Sequence, residues 1–429
     1  MFTRNLESVV RDALRRSPVV LLNGARQVGK STLARALVAD GTLDRYLTLD
    51  QLASLDAATS DPEGFVSASS GSTVIDEVQL APTLFRALKA AVDQDRRPGR
   101  FLLTGSADLS VLPGAADALV GRLEVLTLWP LTQGECRGVR EGFVDALLDP
   151  AHEWGSYGTF DRAALAQVIC AGGFPEPLTR LPQDRTPWYS SYVDLVVRRD
   201  IAERTDISGI AAVPRLLSLL AARTMTLVSV AEVARSLEMP ATTVRRYVAL
   251  LEAAMLVRMV PAFAGDIARR VVKSPKVAVI DTGLAMALAD MDESRLLNDP
   301  AQIGRLAETF VINEIQRQLG WSRTRARLMH ARTAAGREVD IVIEAADGRI
   351  AGVEVKAGRT VGSGDFAGLK ALREAVGERF VQGVVLHTGD TAVPFGSNLW
   401  AVPMSALWKT EASTSSSGGI SDRAVGLPK

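Results

Sequence analysis

Cysteine and histidine are scarce in this chain of 429 residues, which holds two of the first, Cys136 and Cys170, and three of the second, His152, His330 and His387. Two thiols cannot build a disulfide framework, and so few soft ligands argue against a Cys/His zinc site. Surplus charge is missing as well. Lys and Arg number 49 and Asp and Glu number 49, so the net charge is zero and no whole-chain pull on nucleic acid exists. Any such contact must come from a local patch. An uncharged apolar run of about 18 residues, the minimum for a membrane-spanning helix, is also lacking, so no membrane partner is expected. The N-terminal stretch MFTRNLESVVRDALRRSP carries charges throughout and reads as an amphipathic helix, not a signal peptide. What is present is a chain with 47% hydrophobic residues, long enough for more than one buried core. A reducing cytoplasm is the expected setting.

From residue 19 to about residue 130, short apolar runs at 19–22, 46–49, 73–75, 101–103 and 123–128 alternate with helical or loop-like sequence. That rhythm predicts a parallel sheet covered on both faces. From 163 to about 262 the text is mostly helical. Within it, a helix over 230–237, a turn, a helix over 242–253 with Thr242 as N-cap, and the strand-like LVRMV follow the order of a winged helix-turn-helix. A third region contains REVDIVIEA, RIAGVEVKA and FVQGVVLHT, each rich in β-branched residues and read as strands. The last residues, EASTSSSGGISDRAVGLPK, have the Ser/Gly-rich composition of a disordered tail. The expected division is 1–160, 161–265, 266–409 and a tail over 410–429.

The stretch NGARQVGKST is the most informative in the chain. Gly24, Ala25, Arg26, Gln27, Val28, Gly29, Lys30 and Ser31 match G-x-x-x-x-G-K-[ST] completely, with Thr32 following, between a predicted strand and a predicted helix. Phosphate binding requires that combination. Glycines let backbone N–H groups turn inward, the helix N-terminus adds positive potential, and Lys30 reaches the β- and γ-phosphates. The Ser31 hydroxyl would ligate Mg2+. Further on, STVIDEVQ ends an apolar strand in Asp76 and Glu77. Asp76 would hold Mg2+ through water, and Glu77 would polarise the attacking water. A third strand ends in LLTGSAD, placing Thr104 and Ser106 beside the γ-phosphate as sensors of hydrolysis. Three strand ends converging on one triphosphate is what the crevice rule for parallel sheets expects, and the reading is an NTPase.

With these motifs in order, and with GRLEVLTLWPLT, GGFPEP, VRRDIAE, KSPKVAVIDTGLA, GRLAETFVINEI and GREVDIVIE…GVEVK after them, the chain resembles bacterial and archaeal AAA-type P-loop ATPases that carry a C-terminal restriction-endonuclease-like domain. The resemblance covers nearly the whole chain, from about residue 5 to 403. It implies an α/β fold with an AAA-type core, then a helical and winged-helix segment, then an α/β endonuclease-like domain. It also implies ATP in place of GTP, and a sheet with the catalytic-acid strand next to the P-loop strand. The family's arginine before the last core strand falls on Arg122, which would act across the interface of a homo-oligomer. Arg198 and Arg199 are rivals for that role, and pairing with local acids is the alternative for all three.

Two further groups carry chemistry. Asp340 lies in one predicted strand, and Glu354 and Lys356 share a face of the next, since residues i and i+2 in a strand point the same way. Two carboxylates there would bind a second Mg2+ or Mn2+ and the lysine would assist water, an arrangement that resembles the PD-(D/E)xK nucleases, with Glu308 or Glu314 as a further acid. Here Val339 replaces the proline of that motif. The alternative is a nuclease-like domain without chemistry, serving as a platform for an ATP-controlled switch. Arg245 and Arg246 on the second helix of the winged segment are candidates for DNA contact, with Arg258, Arg269, Arg270, Lys273 and Lys276 adding basicity downstream, although such modules also serve in packing.

Overall fold

The computed structural model describes residues 2–69, 71–105, 119–201, 211–263, 274–332 and 336–411. The expected tail, Ser106, Arg269, Arg270 and Lys273 lie wholly or largely outside the described residues. The five apolar runs are the strands β1 (Val19–Asn23), β2 (Arg45–Thr48), β3 (Thr73–Asp76), β4 (Phe101–Gly105) and β5 (Leu123–Thr127) of one parallel sheet. Every residue of β1, β3 and β4 is buried, because helices cover both faces. Side chains alternate between the two faces. Val20, Leu22, Val74 and Leu102 pack with Val10 and Leu14 of the helix Glu7–Arg16 and with Leu33 and Leu37 of the helix Lys30–Ala39. Val19, Leu21, Ile75 and Leu103 pack against Leu84 and Leu88 of the helix Leu84–Gln94.

The strand order is β2-β3-β4-β1-β5, with every neighbour parallel. This corrects one expectation. β3, which carries Asp76, is not next to the P-loop strand β1; β4 lies between them. The partly exposed β2 and β5 sit at the edges, while β4, apolar on both faces, takes a central place. The consequence is local. Thr104, at the end of the inserted strand, stands between the P-loop and the end of β3.

Beyond the sheet the chain is helical, including Arg162–Ala171, Pro182–Val196, Ala212–Ala222, Val230–Leu237 and Ala241–Ala253. The last helix is entered from Pro240, whose φ of −58° suits a helix start, so Thr242 lies inside the first turn and does not cap it. Strand β6 (Val257–Val260) then pairs antiparallel with β7 (Lys276–Val279), bridging the boundary expected at 265/266. The remaining strands, β8 (Ala326–Arg332), β9 (Glu338–Ala345), β10 (Ile350–Val355), β11 (Phe380–His387), β12 (Val393–Pro394) and β13 (Leu399–Pro403), form a mixed sheet in the order β12-β13-β11-β10-β9-β8. The helices Pro300–Gln318 and Ala367–Val376 contribute to its cover. One core cluster runs through all three regions, joining Leu22, Tyr189, Leu251, Ile315 and Val353. Among the described residues no helix is long and apolar enough to cross a membrane.

Candidate active site

At the end of β1 the chain turns through Gly24, where a Cβ would meet the Leu128 carbonyl oxygen at 2.3 Å, so only glycine fits. The loop closes at Gly29, left-handed at φ +98°, and opens into the helix Lys30–Ala39. Gln27 is also left-handed, with φ 63°, a conformation a side chain normally avoids and that functional loops retain. Lys30 is 5% exposed, and its Nζ donates to the carbonyl oxygens of Gly24 and Ala25 at 2.9 Å each. The ammonium thus lies across the loop.

Asp76 gathers the neighbouring strand ends. Ser31 Oγ donates to Asp76 Oδ1 at 3.0 Å, Thr104 Oγ1 donates to the same oxygen, and Tyr46 OH donates to Oδ2 at 2.6 Å. Tyr46 stands under Arg35, whose guanidinium lies 4.9 Å from the ring centroid, and burial pushes the phenol up to about 12. Glu77 follows in the left-handed region, φ 60°; its N–H donates to Thr104 Oγ1 at 3.1 Å, and Gln79 donates to its carboxylate. Backbone strain of this kind persists only where the surrounding structure holds it. Oxygen donors from Ser31 and Asp76 side by side suit a hard divalent cation such as Mg2+.

A cavity of about 390 Å3 adjoins the loop, between Phe2 and Arg4, the helix residues Thr32, Leu33 and Ala36, and Pro175 and Glu176 of the GGFPEP motif. It is mostly apolar and begins at Gly29, which suits a nucleotide base and ribose whose phosphates lie in the loop. A larger cleft of about 860 Å3, beside Cys136, Gln167 and Arg185, touches no P-loop residue. Sequence reasoning missed the roles of Arg4, Tyr46 and Gln79 and this cavity, because each depends on contacts between segments or on side-chain geometry that the motifs do not encode.

The candidate arginines separate. Arg122 precedes Leu123, which pairs with Val19 at the start of β1, so it lies at the sheet edge opposite the P-loop, about 13 Å of strand away. It pairs with Asp93 at 2.6 Å and donates to the Val120 carbonyl at 3.0 Å. It does not approach its own chain's site. Arg198 and Arg199 lie in a π-helical turn, Val197–Ile201, and Arg199 is 4.0 Å from Asp50, just past the end of β2 on the P-loop side. Turns of this kind recur at functional sites. The preceding helix touches the loop itself, through Tyr192 OH to the Arg26 carbonyl at 3.4 Å.

In the C-terminal sheet, β9 and β10 are antiparallel neighbours, and the Val355 N–H donates to Asp340 Oδ2 at 2.9 Å. Glu354 and Lys356 stand beside Asp340 as the spacing predicts. Lys356 pairs with Asp365 at 3.2 Å, and among the described residues Glu354 Oε2 is buried without a hydrogen-bond partner. Burial first, then the Asp340 charge, raises the Glu354 pKa, and the same two causes raise Glu308. The unforeseen residue is Lys276. It is 2% exposed, with Nζ 2.6 Å from Glu338 Oε1 and 3.7 Å from both Glu308 Oε2 and Asp340 Oδ1. Lys276 therefore belongs to no surface basic patch, and Arg258 is half-buried and donates to Gln316. Glu314 is not part of this group: it is fully buried, accepts from the Gln133 N–H at 2.9 Å and pairs with Arg317. Among the described residues no group of three or more His, Cys, Asp or Glu is placed to hold a metal ion. Arg245 and Arg246 are exposed on the helix Ala241–Ala253.

Residues 16–137 match a family described as an AAA domain, and residues 162–295 and 303–407 match two domains of unknown function, DUF8612 and DUF4143. The uncharacterized proteins Rv2008c of Mycobacterium tuberculosis and Mb2031c of Mycobacterium bovis are each 31% identical over 410 residues, spanning 95% of this chain and 85% of theirs. The Walker-type ATPase paby2304 of Pyrococcus abyssi is 13% identical, with a TM-score of 0.41 over 67% of this chain and 96% of its own.

Proposed function

The chain belongs to one family with these two mycobacterial proteins, and from its match to an AAA domain and its P-loop we propose that it is a Mg2+-dependent ATPase. The observation that carries the reading is the meeting of Ser31 and Thr104 at the Asp76 carboxylate, with Glu77 directly after it. ATP would lie with its base in the cavity beside Gly29 and its phosphates under the loop N–H groups and Lys30. Ser31 and Asp76 would hold Mg2+, which when bound neutralises charge on the phosphate oxygens. Glu77 accepts a proton from the attacking water, and Thr104 keeps the Glu77 backbone in place. Arg199 is the candidate for charge developing at the γ-phosphate within one chain, while Arg122 could serve only a neighbour's site in a homo-oligomer. Phosphate release from ATP with and without Mg2+, repeated with Lys30→Ala, tests the reading. No Mg2+-dependent release, or release unchanged by Lys30→Ala, would remove it.

What hydrolysis drives is a second question, and Lys276 bears on it. Asp340, Glu354 and Lys356 stand near one another, yet an internal ammonium, that of Lys276, already pairs with Asp340 and Glu338. That favours the reading in which the C-terminal domain is a docking platform moved by the ATPase, over one in which it cuts DNA. Arg245 and Arg246 remain the surface proposed for DNA phosphates. Incubating the protein with plasmid and linear DNA in Mn2+ separates the two readings. Cleavage lost in both Asp340→Ala and Lys356→Ala would restore the nuclease.

A further inference from the structure

We propose that Arg4, outside the motif in sequence, is a positioning residue that aims the P-loop's backbone at the phosphates. Arg4 is 9% exposed, and its guanidinium donates three ways: Nη1 to the Val28 carbonyl at 2.7 Å, Nη2 to the Trp129 carbonyl at 2.6 Å, and Nε to Glu135 at 3.1 Å. The Val28 carbonyl and the Gly29 N–H belong to one peptide unit. In a trans peptide they point in opposite directions, and no cis peptide bond occurs among the described residues. A donor fixed on the Val28 carbonyl therefore turns the Gly29 N–H away from Arg4, toward the inside of the loop where phosphate N–H donors are needed.

Gly29 makes the constraint matter. Its φ of +98° is one of many conformations a glycine adopts, so the orientation of this peptide is not set by local sterics and needs an outside grip. The grip is itself anchored. Glu135 accepts from the Asn5 N–H at 2.7 Å and, as the far end of a capping box, from the Thr132 N–H at 3.1 Å. Arg4 thus sits on a rigid carboxylate, not on a mobile side chain. Because phosphate contacts from the loop are made in ground state and transition state alike, losing the grip should weaken binding more than turnover.

The inference rests on the nucleotide reading, and the test separates the two. Fluorescent analogues of ADP and AMP are titrated into the full chain, wild type and Arg4→Met. Arg4 also lines the cavity beside Gly29, so some loss of AMP affinity is expected. Loss of the grip predicts ADP affinity weakened about tenfold or more and at least about fivefold more than AMP affinity, since AMP lacks the β-phosphate the loop holds. Arg4→Lys, which can reach one carbonyl, should recover part of the ADP affinity. Arg4→Met leaves Glu135 buried without its charge partner, so the double variant Arg4→Met/Glu135→Met is measured beside it; it also leaves the Val28 carbonyl free and should show the same selective loss. ADP and AMP weakened equally, or ADP unaffected in the folded double variant, would overturn the role of Arg4 alone. A wild-type chain that binds neither ADP nor ATP would instead remove the nucleotide reading and this role with it.

Discussion

Ser31 and Asp76 are joined directly, Oγ to Oδ1 at 3.0 Å, across a gap that the inserted strand β4 closes with Thr104. The two oxygens proposed to hold Mg2+ are thus neighbours. Replacing Asp76 by Asn should leave ADP binding in EDTA within about twofold, but reduce the gain in ADP affinity on adding Mg2+ by about tenfold. Titration calorimetry with and without Mg2+ checks this, and an unchanged Mg2+ gain would count against the assignment.

The arginines predict different concentration dependences. Arg199→Ala should lower turnover at least about tenfold at every protein concentration, with nucleotide affinity little changed, if the group reaches its own chain's site from beside Asp50, past the same ends of the strands as the P-loop. Arg122→Ala should matter only where the protein self-associates, because Arg122 faces away from its own site. Turnover of each variant across a dilution series distinguishes them, and mixing Arg122→Ala with Lys30→Ala protein should restore activity only in the oligomeric range.

Gly24→Ala places a methyl 2.3 Å from the Leu128 carbonyl oxygen. Backbone on both sides leaves little room to yield, and the cost should be about 1–3 kcal/mol, the usual range for overpacking. Urea denaturation measures it. A loss below about 0.5 kcal/mol would show that the loop moves more easily than its packing implies.

The C-terminal carboxylates predict a pH dependence. Glu308 and Glu354 are both raised in the folded chain by burial and by Asp340. Between the ordinary glutamate value of 4.5 and the higher folded values, the folded state holds protons that the unfolded chain has lost. Their contribution to stability is therefore present below the ordinary value and declines as pH rises through the window above it. Glu354→Gln should flatten that decline in denaturation midpoints measured from pH 5 to 9. An equally steep decline in the variant would mean that Glu354 stays ionised.

Much of the core was legible because its signals are local. The five apolar runs became the five strands, and the P-loop, Asp76, Glu77 and Thr104 stand together because each ends a neighbouring strand. Strand order was not legible, since nothing in the spacing of β3 and β4 says which lies beside β1. Nor were Arg4, Tyr46 and Lys276, which reach their partners through the fold: Arg4 contacts Glu135, and Lys276 contacts Glu338. A basic residue beside other basic residues reads as surface, and the burial of Lys276 depends on the acids that the sheet brings around it.

Glu77 tests the central claim most directly. Its backbone is held at φ 60° by Thr104, and its carboxylate is the one that would polarise the attacking water. Glu77→Gln keeps the shape and the contact surface while removing the negative charge. The measurement is a pair: ATP affinity and steady-state phosphate release, in Mg2+, for wild type and Glu77→Gln. The account predicts ATP affinity within about threefold of wild type and turnover reduced by about a hundredfold or more. Wild-type turnover in Glu77→Gln, with ATP bound equally well, would contradict it.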